Sequence, residues 1–227
     1  QYNNLTIENL TKTEWFNQFD EGQKYVIKEG LKKNLDVSFY AKLDFNKDQM
    51  KFIMYALEKN EDVSKYAKPE FSAEQMKQYS LALKENIDIS KYLIFDGKQL
   101  EQIRLGLIEE LDVKKYTDLT YTFAQMKQIR LGLKEGLDIS DYAKIGFNGL
   151  QMKEIRLGIL NKIEISKYAK KDLNWNEMRK IRIELMKEKE SSPFSLIKRK
   201  LKKTVDNLKN KKESLTLEEA LELYSLE

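Results

Sequence analysis

The sequence predicts an all-α protein, an α-solenoid of about seven 26-residue repeats with capping helices at its ends. Three observations predict it. One phrase, seen most plainly as FNGLQMKEIRLGILNKIEISKYA at 147–169, recurs along the chain, its Gln or final Glu falling at 23, 49, 75, 99, 125, 151 and 177. Self-similarity at such a period is the signature of a stacked array, which grows by adding copies and has no single core. Each copy carries its own helix start and helix stop. Two prolines and nine glycines in 227 residues are too few for a turn-rich all-β fold.

Residues 1–18 precede the first copy. Thr11 with Glu14 forms a capping-box pattern ahead of Trp15 and Phe16, and predicts an entry helix that covers the first repeat. In the seven copies, spanning 19–190, Asp20, Asn46, Ser72, Asp96, Thr122, Asn148 or Asn174 stands three residues before the key Gln or Glu. These are good N-caps, and Gln or Glu at N3 completes a capping box. An apolar residue stands just before each cap: Phe19, Phe45, Phe71, Phe95, Tyr121, Phe147 or Leu173.

Apolar residues one, four and eight positions after the key Gln share one helical face, as in Met126, Ile129 and Leu133. A second apolar position, at Leu105, Leu131, Leu157 and Ile183, points away from that face and predicts a helix buried on two sides. Gly106, Gly132 and Gly158, with Ala56 and Ala82 earlier, leave room for a neighbouring backbone or tyrosine.

Asn34, Asn60, Asn86 and Gly136 sit where a left-handed C′ residue closes the helix, and Glu110 and Lys162 depart from that rule. A linker with the pattern D-V/I-S-x-Y-A completes the unit. Its Tyr is 40, 66, 92, 116, 142 and 168, and its Ser is suited to cap a single short turn. Beyond the repeats, Ser191-Ser192-Pro193 breaks the helix. Residues 195–212 then carry eight basic side chains and one acid, Asp206, around a stripe of Ile197, Leu201, Val205 and Leu208. The last stretch, LTLEEALELYSLE, reads as a short acidic amphipathic helix.

The chain has no cysteine and no histidine, which excludes disulfides, thiolate–histidine and serine–histidine catalysis and the usual zinc ligand sets. We therefore expect no enzyme, no cofactor and no metal. The net charge of +4 does not by itself imply a nucleic-acid partner, and no stretch is apolar for long enough to span a bilayer. The chain opens with Gln1, so it reads as a fragment or processed form, with a cytoplasmic location expected.

Arg104, Arg130, Arg156 and Arg182 recur once per repeat and offer a row of guanidinium groups about 10 Å apart for an anionic partner. The competing account, which their place at the edge of the core stripe favours, is pairing with the linker Asp or Glu of their own or a neighbouring copy. The linker aspartates 36, 62, 88, 112 and 138 fit turn formation better than catalysis. The linker tyrosines fit wedges between repeats better than base-stacking platforms. Lys198, Arg199, Lys200, Lys202 and Lys203 lie in the one feature that the repeat does not impose. A phosphate backbone, an acidic membrane surface, an acidic protein and a plain terminal cap all suit it.

With these motifs in view, the chain resembles a family of short helical repeats of the type QM-x-x-IR-x-GL-x-x-G-LD-I/V-S-x-YA in proteins of Gram-positive mobile elements such as conjugative transposons and phages. The resemblance covers about 19–185 and is specific in copies four to six, weaker in one to three. It implies interaction modules set beside other domains and carries no catalytic residue over. The architecture is also similar to leucine-rich variant arrays, which alternate an α-helix with a 3₁₀ turn. The expected function is a non-enzymatic scaffold for protein–protein interaction. The alternative is a nucleic-acid-binding module using the arginine row and the basic segment.

Overall fold

The computed structural model describes residues 7–144 and 146–210, with side chains to 207. The described residues are all-helical, with no strand, and consecutive helices pack on one another. The acidic helix expected near the C-terminus lies outside the described residues. The chain divides into two compact units, residues 1–149 and 150–227.

The entry segment forms two single turns, α1 (Ile7–Leu10) and α2 (Glu14–Asn17), in place of one helix. The cap is Thr13, whose hydroxyl accepts from the Phe16 amide at 3.2 Å. The expected cap, Thr11, instead donates to the Glu8 carbonyl, because it closes α1. Phe16 and Phe19 are buried, and Trp15 meets Phe19 edge-on at 5.1 Å.

In the first unit α3 (Glu21–Lys32), α4 (Lys47–Glu58), α5 (Ala73–Lys84), α6 (Gly97–Ile108) and α7 (Phe123–Lys134) follow, each of 12 residues. The second unit contains α8 (Gly149–Leu160) from Leu150 onward, α9 (Trp175–Ser191) and α10 (Pro193–Asn210). Local chemistry accounts for these ends. At Asp20, Asn46, Ser72, Asp96, Thr122 and Asn174 both bonds of the capping box are present, each cap worth about 1 kcal/mol.

The helices from α3 to α8 close on Schellman motifs. The Leu35 amide reaches the Gly30 carbonyl at 2.9 Å while Asn34 reaches Leu31 at 3.0 Å, and the pattern repeats to Ile163–Gly158 and Lys162–Ile159. Glu110 and Lys162 depart in residue type but not in conformation: both hold a φ of 54°, as Asn34, Asn60 and Asn86 hold 55–57°. A side chain with a Cβ is strained there. Glu110→Gly is therefore expected to stabilise the protein by about 0.5–1 kcal/mol, read as a higher urea midpoint at unchanged slope.

After each helix of the first unit the chain makes one tight turn. Asp36, Asp62, Asp88, Asp112 and Asp138 accept the amide two residues on, at 2.9–3.3 Å. The linker Asp, rather than the Ser after it, is thus the cap. The step between copies is not uniform: from Gln75 to Gln99 it is 24 residues, because Tyr92 and Phe95 are two residues closer than Tyr40 and Phe45. The shortened linker still returns Phe95 to the buried position of the other apolar residues. α9 runs on to Ser191 because no Asn, Gly or linker follows to stop it.

Met50, Ile53, Met76, Leu100, Ile103, Met126 and Ile129 form the buried stripe in the first unit, and Met152, Ile155 and Met178 in the second. The second apolar position is only half-buried at Leu105, Leu131, Leu157 and Ile183. Burial on the helices' other side falls instead on Gln78, Gln102, Gln128 and Glu154 and on arginines.

Candidate functional site

The key Gln carries more than its cap. Its amide nitrogen donates to the backbone carbonyl of the next copy's apolar residue: Gln23 to Phe45 at 2.6 Å, Gln49 to Phe71 at 2.6 Å, Gln75 to Phe95 at 2.8 Å, Gln99 to Tyr121 at 2.8 Å, Gln125 to Phe147 at 2.8 Å and Gln151 to Leu173 at 2.7 Å. One amide therefore satisfies its own helix start with its oxygen and the neighbouring copy with its nitrogen. Glu177, in the last copy, accepts from the Asn174 amide at 2.8 Å and has no further copy to donate to.

The linker tyrosines are buried, and the hydroxyls of Tyr40, Tyr116, Tyr142 and Tyr168 point at the same helix 14 residues back. Tyr116 donates to the Gln102 carbonyl at 3.1 Å and Tyr168 to Glu154 at 3.1 Å. Burial pushes these phenols well above the ordinary tyrosine range, so they remain donors. A β-carbon on Gly30, Gly106, Gly132 or Gly158 would overlap the hydroxyl of Tyr40, Tyr116, Tyr142 or Tyr168. Where Ala56 replaces the glycine, the Tyr66 hydroxyl turns to the Glu61 carboxylate at 3.3 Å. No face of these rings is open to a base.

Arg104, Arg130 and Arg156 are each 7% exposed. Arg104 reaches Gln78 through Nε at 2.9 Å and holds both oxygens of Glu85 through one terminal nitrogen, at 2.7 and 2.6 Å. Arg130 repeats the geometry with Gln102 at 3.1 Å and Glu109 at 2.6 Å. In the second unit Arg182 binds Glu154 at 2.9 Å and lies against the Met186 sulfur. The carboxylates facing Arg104 and Arg130 are not the linker acids anticipated from the sequence. Glu85 and Glu109 are the C-cap residues that close the preceding helix.

Burial works to raise the Glu109 carboxyl, but bonds from Lys134 and Arg130 outweigh it and hold the group below its usual value. A depressed folded value means that the stability Glu109 contributes is complete above the ordinary carboxylate range and is lost as pH falls through the depressed one.

Copies one to three depart from this arrangement. Lys28, Met54 and Ser80 stand where arginine stands later. Without the arginine, open grooves remain beside Tyr55, about 210 Å³ on the α3 side and about 330 Å³ on the α5 side. Tyr25 is 62% and Tyr55 45% exposed along these grooves. Lys47 and Lys51 line the first and Lys77 the second, with Lys51 lying 5.8 Å from the Tyr55 ring centre. The repeat pattern alone gave no pointer to these residues. The signal was the weakness of the pattern in the same three copies.

Lys198, Arg199, Lys200, Lys202 and Lys203 all lie exposed on α10. Among the described residues no group of three His, Cys, Asp or Glu side chains is placed to hold a metal. No described helix is long and apolar enough to cross a membrane. In comparisons with known proteins, no family model, curated protein or solved structure matches the chain.

Proposed function

We propose that the chain is an α-solenoid of seven stacked copies and acts as a non-enzymatic protein-interaction scaffold. The observation that carries this reading is the glutamine bond from each copy to the next, the same atoms meeting at every step from Gln23 to Gln151. Such repetition spends side chains on extending a surface rather than on gathering reactive groups at one point. The surface best suited to a partner is the pair of grooves beside Tyr55, where exposed tyrosines and lysines recur and tyrosine supplies much of the energy at interfaces. The partner is a protein with an acidic patch that carries apolar anchors.

Truncation after residue 120, between two copies inside the first compact unit, tests the solenoid. The shortened chain should keep its helical circular dichroism per residue, whereas a fold with a single core would lose it. For the scaffold, partner protein retained on the immobilised chain should be lost with Tyr25→Ala and Tyr55→Ala together, at unchanged thermal unfolding. Retention by that variant would overturn the choice of surface.

The nucleic-acid alternative is weakened by the commitment of Arg104 and Arg130 to internal carboxylates. Arg130→Met should cost about 2 kcal/mol in urea unfolding, below the usual penalty for a broken buried pair because Glu109 keeps Lys134. It should leave any affinity for DNA or RNA unchanged. A row of arginines serving a phosphate backbone would give the opposite pattern.

A further inference from the structure

The apolar stripe of α10 is exposed at its N-terminal end. Phe194 is 76% and Ile197 44% exposed, and Leu201 and Val205 continue the same stripe half-buried. Ser195 and Arg199, on the other side of the helix, line with Met186 and Lys189 of α9 a cleft of about 410 Å³. The Arg199 side thus faces the helix before it, and the Phe194–Ile197 side faces away.

Lys198 and Lys202 follow one helical turn apart along one edge of the stripe, and Lys200 borders its other edge. All three are exposed, and none of the five basic residues from Lys198 to Lys203 makes an ion pair among the described residues. Asp206 is the only acid in the helix.

We infer that α10 is a docking helix for an anionic lipid bilayer, lying in the plane of the surface with Phe194 and Ile197 inserted among the acyl chains and Lys198, Lys200 and Lys202 at the headgroups. Charge complementarity selects an anionic surface. The exposed aromatic and aliphatic stripe selects a lipid one, because a nucleic-acid backbone offers nothing for Phe194 and Ile197 to enter. Lysines bordering the stripe can lay their methylenes along it while their ammonium groups stay in water. This surface shares no residue with the grooves beside Tyr55, so either proposal stands if the other fails.

The test is co-sedimentation of the full chain with vesicles of phosphatidylcholine alone and of an equal mixture with phosphatidylglycerol. Binding should appear with the anionic vesicles, weaken with salt, and fall by about tenfold or more both in Phe194→Ser with Ile197→Ser and in Lys198→Gln with Lys202→Gln. Because the chain has no cysteine, Ile197→Cys takes a single environment-sensitive dye, whose emission should shift to the blue on anionic vesicles and stay fixed on duplex DNA. Absence of binding to anionic vesicles at low salt would overturn the inference. So would binding that survives loss of Phe194 and Ile197, or a dye that stays in water while the protein sediments. Circular dichroism of each variant separates lost binding from lost folding, and the dye readout does not depend on the serine variant.

Discussion

Gln125→Glu is expected to destabilise the protein by about 2–4 kcal/mol, although glutamate serves the capping box as well as glutamine does. Gln125 is only 5% exposed, and its amide nitrogen donates to the Phe147 carbonyl at 2.8 Å. A carboxylate there keeps the bond from the Thr122 amide but sets an anionic oxygen against a carbonyl oxygen. Glu177→Gln, at the same repeat position in the last copy, should leave stability unchanged within about 0.5 kcal/mol, because no further copy waits for a donor.

Urea unfolding of the two variants at neutral pH gives the comparison, and pH gives a second reading. The new carboxyl would be raised in the folded state, since only its protonated form can donate. Its penalty is therefore absent below the unfolded value of about 4.3 and grows as pH rises through it. Equal effects of the two substitutions would mean that the inter-copy bond contributes nothing and that only the cap matters.

Gly106→Ala is the second large effect, a net loss of about 2 kcal/mol despite alanine's advantage of about 1 kcal/mol in a helix. The added methyl would overlap the Tyr116 hydroxyl oxygen, held between its bond to the Gln102 carbonyl and the helix surface. Tyr116→Phe alone removes one hydrogen bond, worth about 1 kcal/mol. The double variant should be more stable than Gly106→Ala, because the atom that clashes is gone and the helix propensity remains. Copy two shows a related trade: Ala56 replaces the glycine, and Tyr66 sends its hydroxyl to Glu61 instead. Additive losses in the double variant would mean that the strain lies elsewhere than at the hydroxyl.

The two tests probe contacts that differ in how far they could be read from sequence. The nearness of tyrosine to glycine was legible, since a glycine recurring inside a helix leaves room for something and a tyrosine recurs ten residues later. The double duty of the glutamine was not. A capping box accounts fully for Gln at N3, so the pattern raised no question, and only the lone Glu177 hinted that six copies needed a donor. The arginines were legible as paired but not with whom. The acids facing Arg104 and Arg130 sit at helix C-caps, where nothing local calls for glutamate.

The sequence by itself determined where each described helix from α3 to α9 begins, how α3 to α8 end, and which stripe each buries. Those features depend on residues within about a turn of one another: a cap and its N3 partner, a C′ residue of permissive conformation, apolar side chains three and four apart. Even Glu110 and Lys162 were overruled by that local frame, taking the left-handed conformation the closing turn requires. Tertiary structure alone decided which polar groups meet between copies, which arginines became internal, and that Phe194 and Ile197 of α10 stay exposed. These rest on donors and acceptors some 20 residues apart, and a repeat shows only that every copy obeys one constraint, not which two atoms impose it.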